Sequence, residues 1–443
     1  GMMRKQQLLR QLYSSPKIFH LIHTQQRIVS KAFSTILEAD DLILNMLQHD
    51  FKNFKIQYPT SNVTESVANK LARRLHLLPN HPLNILKTRI EIYCCNHAQT
   101  NGRSQFRIFD DRNPVVNIKN CFDDLLVGKD HVSRQSSDTY YIDSDKLLRT
   151  HTSAHQTTLI SQHLDAFLCS GDVYRRDEID STHYPVFHQM EGVRIFNKRE
   201  LLASSGVQVD PSNPEKLNEE CSRLVSRDLQ ELLTGLALSL FGADCELRWR
   251  EDYFPFTRPS FELEVLFNGQ WLEVLGCGVI HSQVLRNAGL DPEQSSGWAF
   301  GLGLERLAMV LFQIPDIRLF WSTDERFLQQ FDGRSPLSRF VPYSKFPACY
   351  KDVSFWLPSH GLQDGSSGFH VNDMYEVIRE AAGDLVEKVQ LFDQYRNEAT
   401  GRTSHAYRIL YRHMDRSLTN KEVDDVQWEV RRLLVEKLGV TLR

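Results

Sequence analysis

Apolar and polar positions recur along this chain in two periods, and the switch between them divides it. From Pro82 to Cys94, Leu83, Leu86 and Ile90 share one helical face, with Asn80 ahead of them and a proline in the first turn. Val63 to Leu78 also reads as a helix. PVVNI, YYI and LRTHTS are short strand-like runs between turn signals. Leu201 to Phe241 contains a loop, QVDPSNPEK, and then a long helix carrying Leu224, Leu229, Leu232, Leu233 and Leu236. From Glu246 the period falls to two. ELRWR, FELEVLF and WLEVLG read as strands of one antiparallel sheet, with Asn268-Gly269 as a hairpin turn. A helix is expected over Leu302 to Phe312, after the loop GWAFG.

A Gly, Ser and Pro connector, FDGRSPLSRFVP, occupies 331–342. Beyond it the pattern starts afresh. ACYKDVSFWL is a strand, VNDMYEVIREAA a helix closed by Gly383, and LVEKVQLFDQYR and SHAYRILYRHM are strands. NKEVDDVQWEVRRLLVEKL is a helix closed by Gly439, and VTL a last short strand. The order βαββαβ is that of the ferredoxin-like fold. The expected class is α+β, with a helix-flanked antiparallel sheet in 38–330 and a ferredoxin-like domain in 343–443.

At 443 residues the chain is too long for one ordinary domain. Its formal charge of −4 gives no general affinity for polyanions, so any nucleic-acid contact must come from local patches. The eight cysteines show no CxxC or other metal-ligand spacing, which points to reduced, buried thiols. No apolar run approaches the roughly 20 residues that cross a bilayer, so no membrane association is expected. Gly1 ahead of Met2 is set aside as extraneous. Met2 to Leu37 carries Arg4, Lys5, Arg10, Lys17, Arg27 and Lys31 with no acid before Glu38, and has several serines. A basic, acid-free leader of this kind is expected to be an organelle transit peptide, the alternative being a basic tail of the mature protein.

Four segments carry candidate chemistry. In GDVYRRDEIDSTHYPVFHQMEG (171–192), two strands flank a polar loop, and alternation places Phe187, Gln189 and Glu191 on one face. A solvated hairpin would explain the charges, whereas a face mixing a ring, an amide and a carboxylate suits a pocket. Arg175 offers a planar fork for phosphate or carboxylate, and Phe187 a surface for a flat base. GWAFGLGLERLAM (297–309) places glycines and then Arg306 at a helix start. Its third glycine position is an arginine and its strands are antiparallel, so a dinucleotide fold is a weak reading, and close helix-on-sheet packing is the alternative. HTSAHQ (151–156) has two histidines four apart but lacks the glutamate of HExxH and a third ligand, so zinc is not expected. Ser153 and Gln156 suit a small polar ligand. In DYFPFTRPSFELEVLFNGQWLEVLGCG, Phe254 and Phe256 flank a proline, and Glu262, Glu264 and Glu273 lie on strands. There a magnesium ion with phosphates would offset carboxylate burial.

In this order the segments resemble the motifs of class II aminoacyl-tRNA synthetases, and in detail those of the phenylalanyl-tRNA synthetase family in its single-chain organellar form. HPLNILKTRIEIY is similar to motif 1, GDVYRRDEIDSTHYPVFHQMEG to motif 2 and GLGLERLAM to motif 3. YFPFTRPSFE and HTSAHQ resemble the family's amino-acid pocket, and SKFPACYKDVSFWLP the opening of its anticodon-binding domain. The resemblance covers roughly Asp50 to Arg443, with one departure: Val132 in GKDHVSR stands where the family has proline.

The resemblance implies ATP-dependent attachment of L-phenylalanine to tRNA(Phe) through a phenylalanyl-adenylate. Arg175 and Arg306 would be catalytic, the first on the α-phosphate and the substrate carboxylate. ATP would meet Arg175, Asp177, Thr182, His183, Tyr184, Phe187 beneath the adenine, Glu273, and Arg306 above it. Glu273 would also stand on the Mg²⁺ side, with Glu262 as a weaker choice. Phenylalanine would be held by Ser153, Ala154, His155, Gln156, Gln189, Met190 and Glu191, with Phe254 and Phe256 about the ring and Ala299, Phe300 and Gly301 as floor. An apolar pocket rejects tyrosine by only about a hundredfold. The chain has no room for the editing module of the large two-subunit enzymes. Arg402, Arg408 and Arg412, with Lys388, Arg416, Tyr407 and Tyr411, would face tRNA. The implied enzyme is a mitochondrial monomer without a second subunit, with plastid or dual targeting as the alternative.

Overall fold

In the computed structural model, Ile43–Arg443 forms one compact unit, to which the sheets and every site residue belong. The structure describes residues 39–71, 73–97, 99–100, 103–207, 213–331, 338–342, 346–358 and 369–443. The basic leader of 1–37 and positions 332–337 of the expected connector lie outside them.

The main elements of the first sheet region follow in chain order. Helix α1 (Pro82–His97) precedes strands β1 (Arg107–Phe109), β2 (Ala166–Tyr174) and β3 (Val186–Asn197), with helix α2 (Gln156–Ser161) leading into β2. Then come helix α3 (Pro214–Phe241), strands β4 (Leu247–Asp252), β5 (Thr257–Phe267), β6 (Gln270–Ile280) and β7 (Ser295–Gly303), and helix α4 (Leu304–Phe312). The strands form one sheet in the order β1-β2-β3-β7-β6-β5-β4. Every pair is antiparallel except the edge pair β1 with β2, which is parallel, a departure from the all-antiparallel expectation. The β5–β6 hairpin turns at Asn268 and Gly269 with φ of 50° and 80°, the primed geometry that this dipeptide favours.

Period-two patterning gives the sheet two faces. On one, Val186, Met190, Trp298, Phe300 and Leu302 join the stripes of α1 (Leu83, Leu86, Ile90), α3 (Leu229, Leu232, Leu236) and α4 (Leu307, Leu311) in one core cluster. Each fully buried leucine there contributes about 1.5–3 kcal/mol. Asp228 of α3 ties helix to sheet by accepting from the Trp298 indole (2.7 Å) and from Arg194 (2.9 Å). The opposite face carries a smaller cluster with Cys169, Val193, Ala299 and α2. That face is left open beside Phe187, Gln189 and Gly301.

Two sequence expectations fail locally. Val63 to Leu78 is not one helix but a turn of α-helix (Glu65–Ala68) and a 3₁₀ turn (Leu75–Leu77), because Arg74 adopts a left-handed φ of 39°. Tertiary bonds hold that break: Arg73 donates to the Trp321 carbonyl, and the His76 ring bonds the Asp110 carbonyl. The motif 3 helix begins at Leu304 because Leu302 and Gly303 still pair with β3.

The C-terminal strands β8 (Cys349–Trp356), β9 (Val386–Arg396), β10 (Thr403–Tyr411) and β11 (Thr441–Leu442) form an antiparallel sheet ordered β9-β10-β8-β11. Helices α5 (Val371–Ala382) and α6 (Asn420–Leu438) pack on one face of it. Thr419 and Glu422 cap α6 reciprocally, and Gly439 ends it at φ 62°. This domain reaches the long loop between β2 and β3. Ile179 of that loop belongs to its core cluster, Val389 donates its N–H to the Ile179 carbonyl, and Arg379 donates to the carbonyls of Asp177 and Glu178.

Candidate active site

The β2–β3 hairpin pairs Val173 with Phe187 and Gly171 with Gln189, so Phe187, Gln189 and Glu191 share the open face as alternation requires. Arg175 lies just beyond β2. Its Nε donates to the Thr150 carbonyl (2.8 Å), and its guanidinium carbon sits 5.2 Å from the centroid of the Phe187 ring. No carboxylate among the described residues forms an ion pair with it. An anchored, stacked guanidinium with unspent donors is suited to an incoming anion.

HTSAHQ wraps into a 3₁₀ turn, Thr152–His155, followed by α2, and neither Thr150 nor Thr152 caps it by side chain. The Thr152 N–H donates to Oε1 of Gln189, which joins this segment to the hairpin. Glu191 is 1 % exposed, and both its oxygens lack a well-formed hydrogen bond. Burial pushes its pKa up to about 7, against the opposing pull of the Ser153 hydroxyl and Arg149. Gln156 is also buried with Oε1 unpartnered. Unsatisfied buried acceptors at this density describe a place for a cationic, hydrogen-bonding ligand.

Four residues that sequence reasoning missed organise this wall. Arg149, fully buried, donates to the Asp172 carbonyl and carboxylate (2.7 Å each), the Arg112 carbonyl (3.0 Å) and Nε2 of His155 (2.8 Å). A guanidinium only donates, so His155 Nε2 accepts and the ring is neutral, consistent with burial and Arg149 driving its pKa well down. Gly171 leaves the room, since a Cβ there would lie 2.2 Å from Arg149 Nη2. Asp172 is the carboxylate partner in this knot. His151 is half-buried beside Arg175, its Nδ1 enclosed and unpartnered, with a pKa lowered to about 3, first by desolvation and then by Arg175. The available signal was a charged residue, Arg149, inside a run read as a strand.

Phe254 and Phe256 stack at 6.0 Å and 16°. The Phe254 ring lies against Gly276, where a Cβ would meet it at 2.7 Å. Gly276 pairs with Gly301 and Gly278 with Ala299, so the floor between strands is made of small residues. Gly301 differs from the others because a Cβ there would meet nothing within 4 Å. Protein packing does not require that glycine, and the space beside it is open to a ligand. Gly301→Ala is therefore expected to leave thermal stability within about 0.5 kcal/mol of the parent. It should raise the KM for phenylalanine or ATP about tenfold or more through overlap with bound substrate. Thermal melts beside exchange kinetics check both halves.

At the other end, Arg306 Nη1 donates to Glu273 Oε2 (3.0 Å), both half-exposed. Glu262 has its pKa raised by burial and then by Glu273 and Asp252, a repulsion that a divalent cation would relieve. Glu264 is already spent on Arg248 and Arg250. Among the described residues no group of three or more His, Cys, Asp or Glu forms a metal site.

Several expected site residues lie elsewhere. Met190 and Phe300 face the core, because each sits one residue out of phase with the open face; Gly192 is bare to admit the Phe300 ring. Ala154 is buried in the second cluster. Tyr184 is buried against Trp321 and donates to Asp384 of the C-terminal domain (2.5 Å). Thr182 and His183 are both bonded to Asp180 in the loop, and Asp177 Oδ1 accepts the Glu178 N–H. Val132 is exposed at the start of a 3₁₀ turn, which accommodates the missing proline.

On the C-terminal sheet, Arg408 is paired with Asp352 (2.8 and 2.9 Å) and lies between Tyr350 and Phe392 at 4.9 and 5.2 Å. Arg402 and Arg443 lie over Trp356 at 5.3 and 5.4 Å, and Arg443 also over Tyr395. Tyr407 and Tyr411 point instead into the helix-covered core, the first stacked on Phe355 and the second bonded to Gln427. Arg412 lies past the end of β10 and pairs with Glu387, while its carbonyl accepts from Arg318.

Comparison with known proteins places this geometry. The model of the tRNA synthetases class II core domain (F) matches residues 96–207 and 222–331, and that of the ferredoxin-fold anticodon binding domain matches 344–443. The chloroplastic/mitochondrial phenylalanine–tRNA ligase of Arabidopsis thaliana is 50% identical over 386 residues, covering 87% of this chain and 83% of the relative. The mitochondrial phenylalanine–tRNA ligase of Dictyostelium discoideum is 46% identical over 413 residues (86% and 89%), and that of Mus musculus 48% over 395 (86% and 85%). With both the paired-strand site and the ferredoxin-like domain accounted for, the chain belongs to the class II phenylalanine–tRNA ligases in their single-chain organellar form.

Proposed function

We propose that the open sheet face joins phenylalanine to ATP and that the aromatic–arginine face of the C-terminal sheet receives tRNA(Phe). The overall reaction is that of the family: ATP-dependent phenylalanylation of tRNA(Phe) through an adenylate. Two of these relatives are named mitochondrial and one chloroplastic/mitochondrial, which supports placing this chain in mitochondria. The proposed division keeps a transit peptide in 1–37, a catalytic domain in 38–330, a connector in 331–342 and an anticodon-binding domain in 343–443, in a monomer.

The observation that carries the site reading is Arg175, anchored at Thr150, stacked on Phe187 and, among the described residues, in no ion pair with a carboxylate. In this reading Glu191, Gln189, Gln156 and Ser153 hold the ammonium group, and the phenyl ring lies by Phe254 and Phe256 over Gly276 and Gly301. The carboxylate oxygen of phenylalanine attacks the α-phosphorus, pyrophosphate leaves with the electron pair of the broken P–O bond, and Arg175 stabilises the added charge. Phe187 and Arg306 cover the two faces of adenine. Glu273 and Glu262 would hold Mg²⁺ on the phosphate side, where it would neutralise the charge developing on pyrophosphate. Phenylalanine-dependent ATP–pyrophosphate exchange tests the assignment. Exchange with another amino acid and none with phenylalanine would overturn it.

Arg402 and Arg408 are the tRNA-facing arginines of this reading, the first stacked on the half-buried Trp356 and the second between the exposed rings of Tyr350 and Phe392, which offer surfaces to unpaired bases. Arg402→Ala and Arg408→Ala are each expected to raise the KM for tRNA about tenfold, with a shallower salt dependence for Arg402→Ala. Exchange without tRNA should stay unchanged. Loss of exchange in either variant would instead place the effect in folding.

A further inference from the structure

The acidic residue beside Arg306 has no role in the chemistry above, yet it is among the most deeply engaged side chains of the sheet. Glu305 lies in the first turn of α4, 2 % exposed, and spends both oxygens on one residue. Oε2 accepts the backbone N–H of His188 (2.7 Å), and Oε1 accepts from ring Nδ1 of the same histidine (2.6 Å). The backbone bond has a topological cause. β7 pairs with β3 only as far as Gly303 opposite Gln189. The next residue of β3, His188, pairs with Asp172 of β2 on one side but has no β7 residue opposite it, and the Glu305 carboxylate takes its N–H where that ladder stops.

The ring bond fixes the imidazole: Nδ1 faces Glu305, and Nε2 has no hydrogen-bond partner among the described residues. His188 is fully buried between His76, 5.0 Å away by ring centroids, and Trp321 at 6.1 Å. Water therefore has no access to replace the carboxylate. His188 is flanked in sequence by Phe187 and Gln189 of the open face, and Glu305 is followed directly by Arg306.

We propose that Glu305 is a positioning residue for ATP: it clamps the strand bearing Phe187 to the helix bearing Arg306 and so sets the width of the slot that receives the adenine. The proposal rests on Phe187 and Arg306 covering the two faces of the base. Substrate phenylalanine, held by Gln189, Glu191 and the floor of β6 and β7, should be far less sensitive to it.

The test is steady-state ATP–pyrophosphate exchange with each substrate varied in turn, because KM does not depend on the fraction of enzyme that folds. Glu305→Gln keeps the shape but places an amide N–H₂ against one of the two donors. It is expected to raise the KM for ATP about tenfold while the KM for phenylalanine stays within about twofold. His188→Asn retains a donor near the Nδ1 position and should stay within about threefold of the parent for ATP, whereas His188→Leu should match Glu305→Gln. On an Arg306→Ala background, Glu305→Gln should add less than about twofold, since the two act through one slot. An unchanged KM for ATP in Glu305→Gln, equal rises for both substrates, or equal defects in the two His188 variants would each overturn the proposal. Should Arg306→Ala and Phe187→Leu themselves leave the KM for ATP unchanged, the adenine reading falls and the proposal with it.

Discussion

Arg175→Ala is expected to reduce phenylalanine-dependent ATP–pyrophosphate exchange on the order of a thousandfold, with little change in melting temperature. Both halves follow from the same geometry. The side chain is anchored at Nε to the Thr150 carbonyl and leaves the rest of its fork uncommitted. Its removal thus forfeits one hydrogen bond and a ring contact, a structural loss of about 1–2 kcal/mol. No neighbour can stand in for it. Arg149 has its donors spent on Asp172, Arg112 and His155, and Arg306 is paired with Glu273. Arg175→Lys retains a charge but neither the bidentate fork nor the stacking plane, and should recover no more than about a tenth of the parental rate. Exchange kinetics beside thermal melts decide the matter. A variant that melts normally and exchanges at more than about a tenth of the parental rate would remove Arg175 from the reaction.

Local patterns were legible where a short-range rule decides them. The β2–β3 hairpin put Phe187, Gln189 and Glu191 on one face by alternation alone, and Asn268-Gly269 turned where expected. The same rule, applied throughout, would have sent Met190, Phe300, Tyr407 and Tyr411 to the core, where they are; motif membership had pulled them into sites. What the sequence hid was set by distant partners. Val63 to Leu78 breaks at Arg74 because His76 and Arg73 are held by carbonyls 34 and 248 residues away. Arg149 is silent in sequence because its meaning lies in Asp172 and His155, and its backbone is held between the Tyr174 N–H and the Pro114 carbonyl by bonds that no local pattern encodes. Glu305 is similar: its neighbour Arg306 drew attention, while its partner His188 lies 117 residues upstream.

Phenylalanine affinity is expected to depend on pH through Glu191, and Glu191→Gln to remove that dependence. Burial raises the free carboxyl to about pKa 7, so at neutral pH only about half of the ligand-free enzyme offers a carboxylate. The substrate ammonium stays charged across this range and pairs only with the ionised form. The KM for phenylalanine should therefore rise about tenfold per pH unit below 7 and level off above 8. In Glu191→Gln the pair is gone, the KM for phenylalanine rises on the order of a hundredfold at pH 8, and the pH profile flattens, while the KM for ATP holds. Stability runs the other way. A carboxyl whose folded pKa lies above its unfolded value near 4.5 favours the fold at low pH, and that contribution is lost as pH rises through about 7. Glu191→Gln should thus melt higher than the parent at pH 8 and nearly with it at pH 5, and saturating phenylalanine should narrow the gap at pH 8 by stabilising only the parent. A parental KM for phenylalanine that is flat from pH 6 to 8, with no gain in melting temperature for Glu191→Gln, would show that Glu191 neither titrates in this window nor receives the ammonium.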